Sequence, residues 1–292
     1  VTRIDAQTRL AGAIGWPIAH SLSPMMQNAA IEALGVKMVY VALAVEPDAL
    51  GAAVRGAAAM GFVGLNVTIP HKETALEFLD EIEPTAAAIG AVNTIHFTEA
   101  GAVGHNTDAY GFTQTVMAEG EWMFRDLTAL IVGGGGAARA MAAGAAAEGA
   151  TKVILANRTR KRAEKIAADL GPRFPETRWE VVQASDSSLR NAIERSQLLA
   201  NATSLGMKPD DPPPLPLDAI QPEHLVFDAV YAPAETPLLA AARGAGAIAI
   251  GGMGMLARQG ARALAIWTGL EPDEELMLDA LRQHLRAEEG VP

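Results

Sequence analysis

Cysteine is absent from the 292 residues, which excludes disulfides, thiolate nucleophiles and thiolate metal sites and suits a reducing compartment. Long uncharged apolar runs are missing as well. The start, Val1-Thr2-Arg3-Ile4-Asp5, lacks the basic stretch and apolar core of a signal peptide, so the expectation is a soluble, cytoplasmic protein with no membrane partner. Positive charge is scarce: 23 Lys and Arg against 34 Asp and Glu leave a formal net charge of −11. That balance speaks against nucleic acid or an anionic membrane as partner, because both demand a broad basic surface. An anionic ligand would have to be held by a few local groups. The six histidines include no pair three or four residues apart, the spacing that sets two ligands on one helix face, and no metal is expected.

Half of the residues are hydrophobic, enough for sizeable cores, and the length favours two domains over one. From about Leu127 short β-branched runs alternate with helical patterns: Thr128–Val132, Ala137–Glu148, Lys152–Ala156, Arg160–Leu170, Arg178–Val182, Ser187–Arg195, Gln197–Asn201, Leu225–Val230, Pro237–Ala245 and Ala247–Gly251. This is the pattern of βα units around a parallel sheet, so the fold class is α/β, doubly wound in this half. The earlier part mixes strand-like runs (Leu10–Ile14, Met38–Ala44, Gly61–Val67) with helices (Pro24–Leu34, Glu73–Ile82) and has no glycine cluster of the phosphate-binding kind. It is the better candidate for a substrate domain. Asp273–Glu288 repeats apolar residues at helical spacing, and the proline-rich stretch 209–216 reads as a stiff surface loop inside the second domain.

The run Val132-Gly133-Gly134-Gly135-Gly136-Ala137-Ala138 follows a strand and opens a helix, the context of a dinucleotide fingerprint. Gly133 would make the tight turn, Gly135 the close approach to pyrophosphate, and Ala138 the helix-packing position. The next strand decides the cofactor. NAD sites place an acidic residue roughly 20 residues after the glycines, whereas NADP sites place arginine near the 2′-phosphate. Here the strand ends in Asn157-Arg158-Thr159-Arg160-Lys161-Arg162, with no carboxylate before Glu164, which selects NADP(H). Cations at a helix start oppose the macrodipole and call for an anion.

Near the N-terminus, Gly15-Trp16-Pro17-Ile18-Ala19-His20-Ser21-Leu22-Ser23-Pro24 suggests Ser23 as N-cap and Pro24 as first helical residue, with two hydroxyls beside a helix N-terminus that suits a carboxylate. Asn66-Val67-Thr68-Ile69-Pro70-His71-Lys72 puts polar groups at a strand end, where open α/β sheets bind ligands. Gly90-Ala91-Val92-Asn93-Thr94 and Gly104-His105-Asn106-Thr107-Asp108 each read as a turn.

Taken in order, GWPIAHSLSP, NVTIPHK, GAVNT, NTD, NRT, NATSLGM, DAVYAP with Thr236-Pro237-Leu238, and Gly254-Met255-Leu256-Ala257-Arg258-Gln259-Gly260 resemble the motifs of the shikimate dehydrogenases, from about residue 12 to 270. The resemblance implies an N-terminal α/β substrate domain completed by C-terminal helices (1–108 and 254–292) and an inserted Rossmann-type NADP-binding domain (109–253). It implies that Ser21, Ser23, Thr68 and Tyr231 hold the substrate carboxylate, that Asn66, Asn93, Asp108 and Gln259 serve the rest of the substrate, and that Lys72 and Asp108 form the catalytic pair. On the cofactor side it points to Gly133, Gly134, Gly135, Gly136, Ala137, Asn157, Arg158, Thr159 and Arg162, with Thr203, Ser204, Gly252, Met253 and Met255 near the nicotinamide. The implied reaction is the reversible NADPH-dependent reduction of 3-dehydroshikimate to shikimate in aromatic amino acid biosynthesis, by a monomer or homodimer. A quinate/shikimate or aminoshikimate dehydrogenase, and a non-catalytic metabolite sensor, remain alternatives. Two departures stand out: Gln27 occupies a position commonly His in that family, and Gly134 one commonly Ala.

Overall fold

The computed structural model describes residues 4–288; Val1-Thr2-Arg3 of the N-terminal segment lies outside them. The chain divides into two compact units, one discontinuous (up to Thr107 and again from Ala257) and one inserted (Asp108–Leu256).

The discontinuous unit begins with β1 (Arg9–Gly15), α1 (Ser23–Ala33), β2 (Met38–Ala44), α2 (Leu50–Ala59), β3 (Phe62–Val67), β4 (Glu81–Ile82), α3 (Pro84–Ile89), β5 (Thr94–Thr98) and β6 (Gly101–His105). The strands form one mixed sheet in the order β2-β1-β3-β5-β6-β4. β2, β1 and β3 are parallel, whereas β5 is antiparallel to both β3 and β6. The parallel centre needs cover on both faces. On one side Leu50, Val54 and Ala57 of α2 meet Ile14, Leu65, Val67 and Ile95 in a single core. β1 can lie this close to β2 because Gly12 has no side chain: a Cβ there would stand 2.6 Å from the Val41 carbonyl.

The helix expected over Glu73–Ile82 does not form. A 3-10 turn, Thr74–Phe78, is followed by the short strand β4. Leu76, Phe78, Leu79 and Ile82 all pack on the core, and Asp80 accepts from Ala102 N at 2.7 Å, so tertiary burial and an edge pairing with β6 override the local helical pattern. The glycine-rich segments around residues 90–94 and 104–108 are likewise more than turns. Gly90 (φ 73°) caps α3, Thr94 starts β5, and Gly104 and His105 lie in β6.

The inserted unit runs α4 (Asp108–Gly120), β7 (Thr128–Val132), α5 (Gly136–Ala147), β8 (Lys152–Asn157), α6 (Arg160–Leu170), β9 (Arg178–Gln183), α7 (Asp186–Glu194), β10 (Leu198–Asn201), β11 (Leu225–Asp228), α8 (Pro237–Gly244) and β12 (Ile248–Gly251). All six strands are parallel, in the order β12-β11-β10-β7-β8-β9. Counted from β7 this is the 3-2-1-4-5-6 order of the Rossmann fold, whose topological switch point lies between β7 and β10. α5 is built almost wholly of alanine and glycine, which brings it close to its neighbours; a Cβ on Gly144 would lie 3.0 Å from Thr113 and 3.2 Å from the Ala109 carbonyl of α4. Its one buried cation, Arg139, pairs with Asp169 of α6 at 2.7 Å. The proline-rich loop is not wholly at the surface, since Leu215 is buried in the core beside Val226 and Leu238.

The chain closes with α9 (Met253–Thr268) and α10 (Glu274–Glu288). α10 packs on α1, within the discontinuous unit. Among the described residues no helix is long and apolar enough to cross a membrane.

At the sheet edge Glu180 of β9 receives Arg195 through two hydrogen bonds (2.7 and 3.0 Å) and Lys152 of β8 at 2.5 Å. Arg195 and then Lys152 hold its carboxyl down at about 2, against 4.5 for a free side chain. A lowered carboxyl stabilises the fold above its unfolded pKa and loses that contribution as pH falls from 4.5 towards 2. Glu180→Gln therefore lowers Tm by a few degrees, about 1 kcal/mol for a partly exposed network, at neutral pH. In acid titrations followed by circular dichroism, the gap to the parent closes by about pH 2.

Candidate active site

In the discontinuous unit the carboxyl ends of β1 and β3 are tied together by backbone bonds. Thr68 N donates to Ile14 O (3.0 Å), Trp16 N to Ile69 O (3.0 Å) and Val67 N to Asn93 O (2.8 Å). Gly15 permits this approach, for its Cβ would stand 2.5 Å from Thr68 Cγ2. Thr68 and Asn93 thus emerge from one strand edge. Lys72 follows in a turn held on both sides: His71 N donates to Thr68 O, the buried His71 ring bonds the Val45 carbonyl at 2.8 Å, and Val92 N donates to Lys72 O. The backbone under Lys72 is consequently paired to the residue next to Asn93.

Ser23 is not the N-cap expected of it. Leu22 holds that position, Ser23 and Pro24 are already helical, and no side chain caps the end. Ser21 Oγ instead accepts from Ser23 N at 3.3 Å.

From Tyr40 a chain of buried polar groups crosses the unit. The Tyr40 hydroxyl donates to Asn66 Oδ1 (2.8 Å), and Asn66 Nδ2 donates to Thr94 Oγ1 (3.0 Å) and to the Asn93 carbonyl (3.2 Å). Thr94 Oγ1 donates in turn to Asn93 Oδ1 at 3.1 Å. The Asn93 carboxamide then spreads its partners: Oδ1 accepts from Thr107 N (2.7 Å), while Nδ2 donates to Thr107 Oγ1 (2.8 Å) and to Gln259 Oε1 (3.2 Å). Burial pushes the Tyr40 phenol far above its ordinary value, so it stays protonated as the donor that Asn66 requires. Three expected substrate residues, Asn66, Asn93 and Gln259, are therefore one network. Tyr40, Thr94 and Thr107 join it unforeseen. Asp108 follows Thr107 directly, buried in the first turn of α4, where a carboxylate complements the helix dipole.

In the inserted unit Gly133 directly follows β7 with φ 152°, and its N–H donates to Ala156 O at 2.8 Å. A Cβ there would stand 3.0 Å from Ala138 and 3.1 Å from the Ala202 carbonyl. Gly134 faces Asn157 and Arg162; its added Cβ would lie 2.6 Å from Asn157 Nδ2 and 2.9 Å from Arg162 Cβ. Glycine in place of alanine thus leaves room for the Asn157 amide, which donates to Thr159 O at 3.0 Å. Gly135 caps α5 with open space around it, Gly136 and Ala137 begin the helix, and no side chain occupies the cap. Backbone donors at a helix start, with exposed Arg158 just after the adjacent strand, exposed Arg162 in the first turn of α6 and no acid in that turn, fit a dinucleotide carrying an additional phosphate. Thr159 caps α6 by backbone alone, and Arg160 is taken by Glu164 at 2.8 Å.

The remaining residues gather at the carboxyl ends of β10, β11 and β12. Thr203 donates from both N and Oγ1 to Asn201 Oδ1 (3.0 and 2.7 Å), Ser204 follows it at the surface, and Asn201 Nδ2 donates to Asp228 Oδ1 at 2.9 Å. Asp228 also accepts from Val230 N (3.1 Å) and Thr236 Oγ1 (2.7 Å), which fixes the turn leading to Tyr231 and the start of α8. Burial raises the Asp228 carboxyl above its ordinary value, and it raises the Tyr231 phenol likewise. Gly252 N donates to Val230 O at 3.2 Å, and a Cβ on Gly252 would strike the Ala229 carbonyl; Met253 and Met255 stand in the first turn of α9, Met255 buried. Asn201 and Asp228 were not foreseen as part of this region. Their positions at the last residue of two buried strands were the available signal.

Comparison with known proteins follows this division. Residues 13–95 match the model of the shikimate dehydrogenase substrate binding domain, 117–205 that of shikimate/quinate 5-dehydrogenase, and 252–282 that of the shikimate 5′-dehydrogenase C-terminal domain. A shikimate dehydrogenase (NADP+) of Methanopyrus kandleri is 43% identical over 285 residues, 97% of this chain and 98% of that one. A solved shikimate dehydrogenase in complex with NADP+ superposes with a TM-score of 0.89 at 38% identity, covering 97% of this chain and 98% of its own. The Thermus thermophilus shikimate 5-dehydrogenase in complex with NADP(H) and shikimate gives 0.84 at 37% identity, covering 94% and 99%. With this identity sustained over almost its whole length, the chain belongs to the shikimate dehydrogenase family.

Proposed function

We propose that the chain catalyses the reversible NADPH-dependent reduction of 3-dehydroshikimate to shikimate, with the discontinuous unit taking the substrate and the inserted unit NADP(H). The observation that carries this reading is the buried polar chain from Tyr40 to Gln259, which fixes hydroxyl and amide groups where a polyhydroxylated acid can use them. Ser21, Ser23, Thr68 and Tyr231 serve the substrate carboxylate. A ring hydroxyl replaces the 3.2 Å bond between Asn93 and Gln259 by accepting from Asn93 Nδ2 and donating to Gln259 Oε1.

Bound NADPH supplies a hydride to the C3 carbonyl carbon. The protein's part is to place that carbonyl and to satisfy the oxygen as negative charge develops. The Lys72 ammonium stabilises that charge and donates the proton; Asp108 orients the ammonium, and the pair works as base in the reverse direction. On the cofactor side Gly133–Gly136 leave backbone donors for the pyrophosphate, Arg158 and Arg162 take the 2′-phosphate, and the Asn201–Asp228 pair fixes the loop carrying Thr203 and Ser204.

Nicotinamide absorbance tests the reading when shikimate and quinate are each crossed with NADP and NAD. Shikimate with NADP is the best pair; quinate with NAD in that place would overturn both the substrate and the cofactor assignments. Lys72→Ala lowers kcat by about 10²–10⁴-fold with the shikimate KM within a few-fold, and a loss confined to KM would remove Lys72 from proton transfer. Arg158→Ala raises the KM for NADP by about tenfold or more, the worth of one charge-assisted contact, and leaves the weaker use of NAD unchanged. Equal losses with both cofactors would show that Arg158 does not read the phosphate.

A further inference from the structure

Gln27 lies in the second turn of α1, fully buried and four residues after Ser23. Its Nε2 donates to the Gly260 carbonyl of α9 at 2.9 Å, while its Oε1 accepts no hydrogen bond among the described residues. A buried acceptor left in this state costs stability, so packing alone does not account for a glutamine here. Gly260 is matched to it: a Cβ at that position would stand 2.5 Å from Met26 Cε and 3.1 Å from Gln27 Nε2. The residue before Gly260 is Gln259, which meets Asn93 at 3.2 Å. A second clamp fixes the same helix two turns later, where Trp267 Nε1 donates to the Ile95 carbonyl at 2.9 Å and its ring lies 6.1 Å from Tyr40.

We infer that Gln27 is a positioning residue for substrate binding, one that sets the rotation and height of α9 and so places the Gln259 amide opposite Asn93. It rests on the reading of Asn93 and Gln259 as ligands of the substrate ring. α1 thereby holds both ends of the substrate site, with Ser23 at its first residue and Gln27 one turn on. The role is paid for in stability, since a methionine of the same shape would remove the unpartnered oxygen together with the amide.

Gln27→Met is the test, with each chain assayed on whichever of shikimate and quinate the parent turns over best. The choice of substrate by the parent speaks to the proposed activity, and only the ratio of variant to parent speaks to Gln27. The KM for that substrate rises about fivefold to tenfold, equivalent to roughly 1 kcal/mol, while kcat and the KM for NADP stay within twofold and Tm is unchanged or higher. In a Gln259→Ala background the substitution adds nothing, because its effect passes through Gln259. Gln27→His, which keeps a ring N–H of similar reach, recovers most of the loss. An unaltered substrate KM, additive losses in the double variant, or a Gln27→Met chain that fails to fold or melts several degrees lower would each make Gln27 a structural strut and overturn the inference.

Discussion

The Asn93 carboxamide is buried where it must find partners for both its oxygen and its nitrogen, since an unpaired buried amide would cost more than a single hydrogen bond returns. That requirement organises the discontinuous unit. Thr107 has to come close enough to use both its N–H and its hydroxyl, which sets where β6 ends and the inserted unit begins. Thr94 has to turn its hydroxyl inwards, which extends the network through Asn66 to Tyr40. α9 has to carry Gln259 to the same amide, so the C-terminal helices complete a unit begun some 250 residues earlier in the chain. Networks of this kind are rigid when fully satisfied and costly when partly so, a combination suited to holding a small polar substrate in one pose.

The inserted unit meets a different constraint, the close passage of backbone past backbone at the carboxyl ends of its strands. Gly133 and Gly252 sit where any side chain would strike a neighbouring carbonyl or helix, and Gly134 sits where one would displace Asn157. Asn201 and Asp228 end their strands by hydrogen-bonding each other and the loops that follow them. Glycine thus supplies the space and two buried side chains supply the shape, on the edge of the sheet where Rossmann folds bind their ligands.

Much of this was legible before the structure. Parallel strands buried on both faces betray themselves as short apolar runs, and β7 through β12 were located to within one or two residues at most of their ends. The cofactor type followed from the absence of a carboxylate after β8. What failed was local pattern set against tertiary demand: residues 73–82 have a helical pattern, yet their apolar side chains find a core and their backbone finds β6. Ser23 was misplaced by one position because a serine–proline pair specifies a helix start without specifying which residue is capped. Tyr40, Thr94 and Thr107 could not be singled out, since a buried hydroxyl acquires its partner only when distant segments meet.

Substrate recognition by the Asn93 network is the centre of this account, and a crystal structure with shikimate and NADP bound tests it most directly. The account predicts the substrate carboxylate on the Ser21, Ser23 and Thr68 hydroxyls, with one ring hydroxyl lying between Asn93 Nδ2 and Gln259 Oε1 and the bonds from Thr107 and Thr94 to Asn93 still in place. A substrate bound with its carboxylate elsewhere, or an Asn93 side chain turned away from Thr107 to reach it, would contradict the account.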